Sequence, residues 1–126
     1  KIPGKQFLAE NAKKDGVVVL PSGLQYKIIK KGNGRVPKDT SMVKVNYEGR
    51  TIDGNVFDSS YKRNQPLKLR CNQTIKGWTE AMTLMPEGSV WEIYIPEHLG
   101  YGEREQGDIK PFSTLIFKVH LIKIIE

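Results

Sequence analysis

The chain has 126 residues, enough for one domain with one hydrophobic core and too few for two. Hydrophobic residues make up 38% of the chain and charged residues 27%, a composition typical of soluble globular proteins. No apolar run approaches the roughly 20 residues that a membrane-spanning helix requires, so we expect no integral membrane segment.

The net charge of +6 is unevenly distributed along the chain. Residues 1–50 carry eleven Lys and Arg against four Asp and Glu, a net of +7. Because these cations are scattered and no aromatic residues interleave with them, we interpret the basic half as a solvated face and expect no nucleic-acid partner. The single cysteine, Cys71, excludes an internal disulfide and is interpreted as a small core residue rather than a nucleophile.

The N-terminal residues are predicted to form a short helix over residues 3–15. Pro3 suits the first turn of this helix and Gly16 suits its stop. The apolar stripe is thin, which is typical of the end of a longer helix or of a strut that docks elsewhere. We therefore expect a helical segment over residues 1–16, the end of a linker or dimerisation helix, and one domain over residues 17–126.

Alternation of apolar and polar residues predicts strands through most of that domain. The clearest half-buried strand has Val43, Val45 and Tyr47 on one side. Asp53-Gly54 lies between two strand-like runs and is a strong signal for a two-residue hairpin. Further extended runs are predicted at residues 17–20, 24–31, 67–69, 90–95 and 115–125.

The run from Thr74 to Met85 is the only strongly helix-patterned stretch within the strand-rich part. Ile75, Trp78 and Met82 recur at helical spacing, and Pro86 ends the run. A single short helix cannot bury its apolar face alone, so it must lie across a sheet. The layout is α+β, with five or six strands, mostly joined by hairpins, and one crossing helix.

Local motifs for common chemistries are missing from the sequence. His98, His120 and Cys71 are far apart and lack metal-ligand spacing, so neither a metal nor a cofactor is expected. Ser59-Ser60 lacks the pattern of a nucleophile elbow. The long loop over residues 97–113 is rich in glycine and charge, and loops of this length in compact domains usually carry function.

Several short groups of residues are informative together: Tyr47-Glu48-Gly49, Asp53-Gly54, Phe57-Asp58-Ser59-Ser60, Pro66, Ile75-Lys76-Gly77-Trp78, Met85-Pro86-Glu87-Gly88, Ile95-Pro96, Tyr101-Gly102 and Thr114-Leu115-Ile116-Phe117. In order and spacing they resemble the FKBP-type peptidyl-prolyl cis–trans isomerases, from about Leu20 to the end of the chain. Upstream, residues 7–11 and 20–26 are similar to the bacterial subgroup that includes the macrophage infectivity potentiator. In that subgroup a helical dimerisation region precedes the catalytic domain.

The resemblance implies a curled antiparallel sheet of five to six strands wrapped around one short helix, and catalysis of rotation about X–Pro bonds during protein folding. It implies four catalytic residues: Asp58, Trp78, Tyr101 and Phe117. It implies six substrate-binding residues: Tyr47, Phe57, Leu67, Thr74, Ile75 and Ile109. Trp78 becomes the floor of the pocket, and Ile75 supplies a backbone N–H to a ligand carbonyl. Two roles stay open for Asp58: interaction with the twisted carbonyl, or ordering of Tyr47 and Arg63 around the pocket.

Three features depart from the family pattern. Leu67 stands where many members have an aromatic residue, and Thr74 takes a position that is usually apolar. The loop over residues 102–111 is short and charged. These departures leave the peptide preference and the affinity for macrolides open.

Three functions remain compatible with the sequence: an active prolyl isomerase, a non-catalytic chaperone or proline-segment binding module, and a domain that binds partners through its basic half. The aromatic and carboxylate set favours the first. The expected partners are proline-containing unfolded or folding proteins, with a rapamycin-type macrolide as a possible ligand. The resemblance favours the bacterial periplasm or cell envelope over the cytoplasm, and a homodimer only through a region upstream of this chain.

Overall fold

The computed structural model describes residues 2–125, so Lys1 of the predicted N-terminal segment lies outside the described residues. The elements in chain order are α1 (Ile2–Asn11), β1 (Val17–Val19), β2 (Gln25–Lys30), β3 (Met42–Thr51), β4 (Val56–Ser59), β5 (Leu67–Arg70), α2 (Lys76–Met82), β6 (Val90–Ile95), a 3₁₀ turn (Glu97–Leu99) and β7 (Leu115–Ile125). The α+β class is confirmed. Neither described helix is long and apolar enough to cross a membrane.

The strands form one antiparallel sheet in the order β1-β2-β6-β7-β3-β4, with β5 also paired to β3. β3 and β7 form the centre and pair along their length, from Met42 opposite Ile125 to Thr51 opposite Leu115. β5 and β4 divide the other edge of β3 between them. This division, together with the three-residue β1, gives seven strands within residues 2–125 rather than five or six.

The hydrophobic core fills the space between α2 and the sheet. Trp78, Ala81 and Met82 of α2 are buried in it. A Cβ placed on Gly77 would lie 2.7 Å from Cγ2 of Ile95, so the glycine lets the helix approach β6 closely. Cys71 is fully buried as predicted, and burial raises the pKa of its thiol, which therefore stays protonated and acts as an apolar filler.

α2 is shorter than the run predicted from Thr74 to Met85. Ile75 precedes it in an extended conformation, with φ −62° and ψ 149°. At the other end, the Thr83 hydroxyl donates to the carbonyl of Thr79 at 2.9 Å, and tighter turns replace the α-helical pattern. Met85 is nevertheless fully buried, so the predicted apolar stripe continues into the core beyond the end of α2.

The predicted two-residue hairpin at Asp53-Gly54 is wrong in length, because residues 52–55 all lie between β3 and β4. The Asp53 carboxylate accepts hydrogen bonds from the Thr51 hydroxyl and from the Asn55 N–H. This local bonding favours a wider turn over the tight hairpin. Gly54 occupies the left-handed position of the turn, with φ 90°.

α1 docks onto the sheet through a buried polar contact. The Asn11 amide donates to Oε1 of Gln25 at 2.8 Å, and Nε2 of Gln25 donates to the Leu8 carbonyl at 3.0 Å. Asn11 is 2% exposed and Gln25 4% exposed. The Phe7 ring also packs 6.1 Å from the ring of Tyr94 on β6. The helix ends at Asn11, earlier than the predicted residue 15, where this side chain turns into the sheet.

We predict that Gln25→Ala lowers the free energy of unfolding by about 1–3 kcal/mol, because it leaves the buried Asn11 amide and the Leu8 carbonyl without this partner. Urea unfolding followed by circular dichroism measures the loss. Lys27→Ala, at an exposed position on the same strand, is the matched control. Equal stability of the two variants would show that this contact does not anchor α1.

Candidate active site

A cavity of about 210 Å³ opens between α2, β3, β4 and the loop that follows β6. Its lining consists of Tyr47, Phe57, Asp58, Leu67, Thr74, Ile75, Trp78, Tyr101 and Phe117. These are nine of the ten residues that the sequence resemblance assigns to the site. Ile109 packs in the core at 4% exposure and is not among the lining residues, so its role in substrate binding stays a prediction.

Trp78 lies at the start of α2 with its ring against two other aromatic rings. Its centroid is 5.1 Å from that of Tyr47 and 5.2 Å from that of Phe117, both in edge contact. Phe57 meets Phe117 in the same way at 5.5 Å. The indole Nε1 of Trp78 is buried and has no hydrogen-bond partner within residues 2–125. An apolar, aromatic surface of this kind suits a small ring better than a charged group.

The β3 strand holds the cavity open at Gly49. A Cβ at this position would lie 2.5 Å from a ring carbon of Phe117 and 2.8 Å from one of Phe57. No other residue type fits without displacing these two rings. The pairing of Gly49 with Phe117 across β3 and β7 therefore fixes where the aromatic walls lie.

Asp58 is held by two neighbours at the cavity rim. The Tyr47 hydroxyl donates to Oδ2 of Asp58 at 2.5 Å, and Arg63 forms an ion pair with Oδ1. Nη2 of Arg63 also donates to the Tyr47 hydroxyl at 2.9 Å. Both carboxylate oxygens thus have partners, and the three side chains form a closed triangle.

The triangle shifts the pKa of each member. Burial acts to raise the pKa of Asp58, but hydrogen bonds from Tyr47 and Arg63 and the charge of Arg63 outweigh it, so this pKa lies below its usual value of 3.8. Burial and the hydrogen bond to Asp58 raise the pKa of Tyr47. At neutral pH the carboxylate is therefore ionised and the phenol remains a donor.

Tyr101 and Ile75 place two donors beside the aromatic floor. Burial, and then the negative charge of Asp58, raise the pKa of Tyr101, so its hydroxyl keeps its proton at neutral pH. Ile75 sits immediately before α2, where its carbonyl accepts from the N–H of Trp78 at 3.0 Å. Its own N–H has no acceptor within residues 2–125 and is available to a bound carbonyl.

Ser60 belongs to the site in a way that sequence patterns did not identify, whereas Arg63 contacts Asp58 and Tyr47, as one of the two roles that the resemblance allows for Asp58 implies. Ser60 is fully buried, and its Oγ accepts the N–H of Tyr47 at 2.8 Å while donating to Asn46 at 2.9 Å. In the sequence this serine is excluded as a nucleophile and ends the Phe57-Asp58-Ser59-Ser60 group, but neither observation indicates its contacts. Arg63 follows Asp58 by five residues in the turn-rich segment after β4. This spacing is the sequence signal for their ion pair.

No three His, Cys, Asp or Glu side chains in the described part of the chain come together in a group that could hold a metal ion. A larger and more open groove of about 890 Å³ adjoins the aromatic cavity and shares Thr74, Ile75 and Tyr101 with it. The site therefore consists of a small cavity lined by aromatic rings and a wider groove whose lining includes charged residues, which together could accept an extended chain bearing one apolar ring.

An aromatic cavity with a carboxylate at its rim lies on an antiparallel sheet crossed by one helix, the arrangement that the sequence resemblance predicts for a prolyl isomerase. Residues 33–122 match the family model of FKBP-type peptidyl-prolyl cis-trans isomerase. Residues 1–28 match that of the domain amino terminal to FKBP-type peptidyl-prolyl isomerase. The chain belongs to the FKBP-type peptidyl-prolyl cis–trans isomerase family.

Similar curated proteins come from several bacteria. The FKBP-type 22 kDa peptidyl-prolyl cis-trans isomerase of Escherichia coli is 52% identical over 97% of this chain and 60% of its own length. The outer membrane protein MIP of Legionella longbeachae is 52% identical over 98% of this chain and 54% of its own length. The chain thus spans between about half and three-fifths of the length of these relatives.

Solved structures agree with this assignment. The crystal structure of FkpA from Escherichia coli superposes with a TM-score of 0.95 at 40% identity, over 98% of this chain and 58% of that one. A peptidyl-prolyl cis-trans isomerase from Pseudomonas syringae superposes with a TM-score of 0.92 at 36% identity, over 99% and 92% of the two chains.

We predict that Asp58→Asn reduces the dependence of stability on pH. Because the pKa of Asp58 is lowered on folding, its ionisation stabilises the fold above pH 3.8, and this contribution is lost as pH falls through the lower, folded-state value. The difference in unfolding free energy between wild type and variant should therefore shrink between about pH 5 and pH 2.

Urea unfolding at a series of pH values measures this difference. Arg63→Ala is the informative companion variant, because removing the cation takes away one of the groups that lower the pKa of Asp58. A difference between wild type and Asp58→Asn that stays constant over the whole range would contradict the assignment.

Proposed function

We propose that this chain catalyses cis–trans isomerisation of X–Pro bonds in proteins and so assists their folding. The observation that carries the proposal is the aromatic cavity of about 210 Å³ with donors on its rim. Relatives named as peptidyl-prolyl cis–trans isomerases support it, and so does membership of their family. Proline-containing unfolded or folding proteins are the proposed substrates.

The reaction needs no nucleophile. Amide resonance holds the X–Pro bond planar, with a barrier of about 18–20 kcal/mol to rotation. At the twisted transition state this resonance is lost and the carbonyl becomes less dipolar. An apolar cavity favours the twisted state over the planar ground state, which water stabilises better. Binding energy from the rest of the peptide can then lower the barrier to rotation about the X–Pro bond.

Each side chain has a role in this mechanism. Trp78 forms the floor on which the proline ring rests, and Phe57 and Phe117 hold the ring while the acyl side rotates. The protonated Tyr101 hydroxyl donates to a substrate carbonyl, and the N–H of Ile75 offers a second donor. These two groups fix the peptide on one side of the rotating bond.

Asp58 acts through the groups it orders. Tyr47 contacts one of its oxygens and Arg63 the other, so the carboxylate is held in a fixed position beside the cavity. We therefore propose that Asp58 acts mainly by holding the Tyr47 ring in its edge contact with Trp78. The negative charge of Asp58 close to the cavity is a secondary influence on the bound peptide.

Asp58→Ala is expected to lower kcat/KM about tenfold, which corresponds to about 1.4 kcal/mol of transition-state stabilisation. Tyr101→Phe removes one hydrogen bond of about 1 kcal/mol and should lower kcat/KM about fivefold. A protease-coupled assay on a short X–Pro peptide measures both, and circular dichroism checks that the fold is retained. Leu84→Ala, at an exposed position after α2, is the control.

The same assay separates catalysis from simple binding. A folded wild-type chain that binds the peptide but does not exceed the uncatalysed rate would be a binding or chaperone module rather than an isomerase. If the wild type is active and both site variants match it, the cavity is not the active site.

The cavity also suits a rapamycin-type macrolide, whose apolar ring would rest on Trp78. Saturating ligand should change the fluorescence of Trp78 in a Trp91→Phe background. That background is needed because Trp91 stacks on Tyr26 at 4.1 Å and contributes its own emission. Unchanged emission, with binding shown independently by calorimetry, would place the ligand away from Trp78.

We further propose that the protein acts in the bacterial cell envelope, since one similar relative is named an outer membrane protein. The match of residues 1–28 to an amino-terminal domain supports a division into an N-terminal segment and an isomerase domain.

A further inference from the structure

Phe112 has an unusual backbone conformation that the proposed mechanism does not use. Its φ is 62°, in the left-handed region that favours glycine. Within residues 2–125 the only other non-glycine residue with positive φ is Asn64, and asparagine tolerates this region well. For a bulky aromatic residue the conformation is strained, and such strain persists only where the surroundings hold it.

The strained backbone makes a short hydrogen bond across the base of the loop between β6 and β7. The N–H of Phe112 donates to the carbonyl of Gly102 at 2.7 Å. Gly102 directly follows Tyr101, and its own N–H donates to the carbonyl of Glu97 at 2.9 Å. The backbone beside Tyr101 is therefore held on one side by the 3₁₀ turn and on the other by Phe112.

Phe112 also borders a part of the molecule away from the aromatic cavity. It lines a second cavity, of about 430 Å³, together with Pro3 of α1, Ile52 of the β3–β4 loop and Thr114. α1 lies very close to this segment, because a Cβ on Gly4 would be 2.3 Å from Oγ1 of Thr114. Phe112 thus lies where the loop before β7 comes close to α1 and to the β3–β4 loop.

We propose that Phe112 is a positioning residue for Tyr101. Its ring, set against α1 and the β3–β4 loop, keeps the backbone in the conformation that presents its N–H to Gly102. That hydrogen bond in turn fixes the direction in which Tyr101 enters the aromatic cavity. The inference rests on the proposed isomerase function and adds to it a residue that lies outside the cavity lining.

Two substitutions at position 112 separate the effect of losing the ring from the effect of changing the backbone conformation. Phe112→Ala removes the ring but still disfavours positive φ, so the backbone should relax and release Gly102. Phe112→Gly also removes the ring, but glycine adopts φ near 60° freely and keeps the N–H. We expect kcat/KM to fall about fivefold in the alanine variant, mainly through KM, and to stay within about twofold of wild type in the glycine variant.

A double-variant comparison shows whether the effect passes through Tyr101. In a Tyr101→Phe background, Phe112→Ala should cause no further loss, because the hydroxyl that it positions is already absent. Losses that multiply would mean that Phe112 acts on general stability alone, and would overturn the inference. Leu84→Ala again controls for nonspecific effects on the assay.

Amide hydrogen exchange and ring resonances test the inference without any catalytic readout. The amide at position 112 should exchange faster, and the Tyr101 ring resonances should shift, in the alanine variant but not in the glycine variant. If the wild type had no isomerase activity, the proposed function would fail while this measurement still decided the positioning role. Unchanged exchange and unchanged Tyr101 resonances in Phe112→Ala would overturn it.

Discussion

The edge contacts of Trp78 with Tyr47 and Phe117 tie the small helix to the centre of the sheet. α2 has seven residues, too few to be stable as an isolated helix, so burial of its apolar face must supply its stability. Loss of a buried aromatic side chain of this size typically costs about 3–5 kcal/mol. The same rings that stabilise the helix also form the floor and one wall of the cavity, so core packing and the proposed chemistry share their residues.

β3 is the strand on which this arrangement depends. Along its length it pairs with β7 on one side and with β5 and β4 on the other. Its inward residues alternate, so that Val45 packs in the core, Tyr47 reaches the rim and Gly49 leaves space. Register shifts occur on both sides of the strand, at Lys44/Val45 against β7 and at Gly49/Arg50 against β4. Such irregularities bend a sheet, which here lets its aromatic residues converge.

Much of the fold could be predicted from local patterns. Alternation identified the central strands because their two faces meet different environments, and the period of Trp78 and Met82 identified α2. The C-terminal end of α2 could not be read in this way, because the apolar spacing continues to Met85 although the backbone changes to tighter turns after Thr83. The predicted hairpin length was wrong for another local reason, because the Asp53 carboxylate accepts a hydrogen bond from the backbone N–H of Asn55.

The site was less accessible to pattern reasoning. Each aromatic residue taken alone is more often part of a core, and only the resemblance to a family brought them together across distant parts of the chain. The contact of Phe112 with Gly102 had no sequence signal, because the residue types that usually mark positive φ are glycine and asparagine. Strain of this kind becomes visible only once backbone angles and hydrogen bonds are known.

The two parts of the site differ in how freely they can change. Trp78, Tyr47 and Phe117 are buried core residues, so substitutions there alter stability and binding together. Asp58 and Tyr101 lie on the rim of the cavity. An ion pair with Arg63 holds Asp58, and backbone hydrogen bonds of the loop hold Tyr101, so substitutions there disturb fewer core contacts. Under the proposed isomerase function, substitutions at the rim can therefore change the peptide preference without loss of the fold. The groove beside Tyr101 has exposed Lys76 and Arg104 on its lining. Substitutions in this groove would change contacts with an extended substrate.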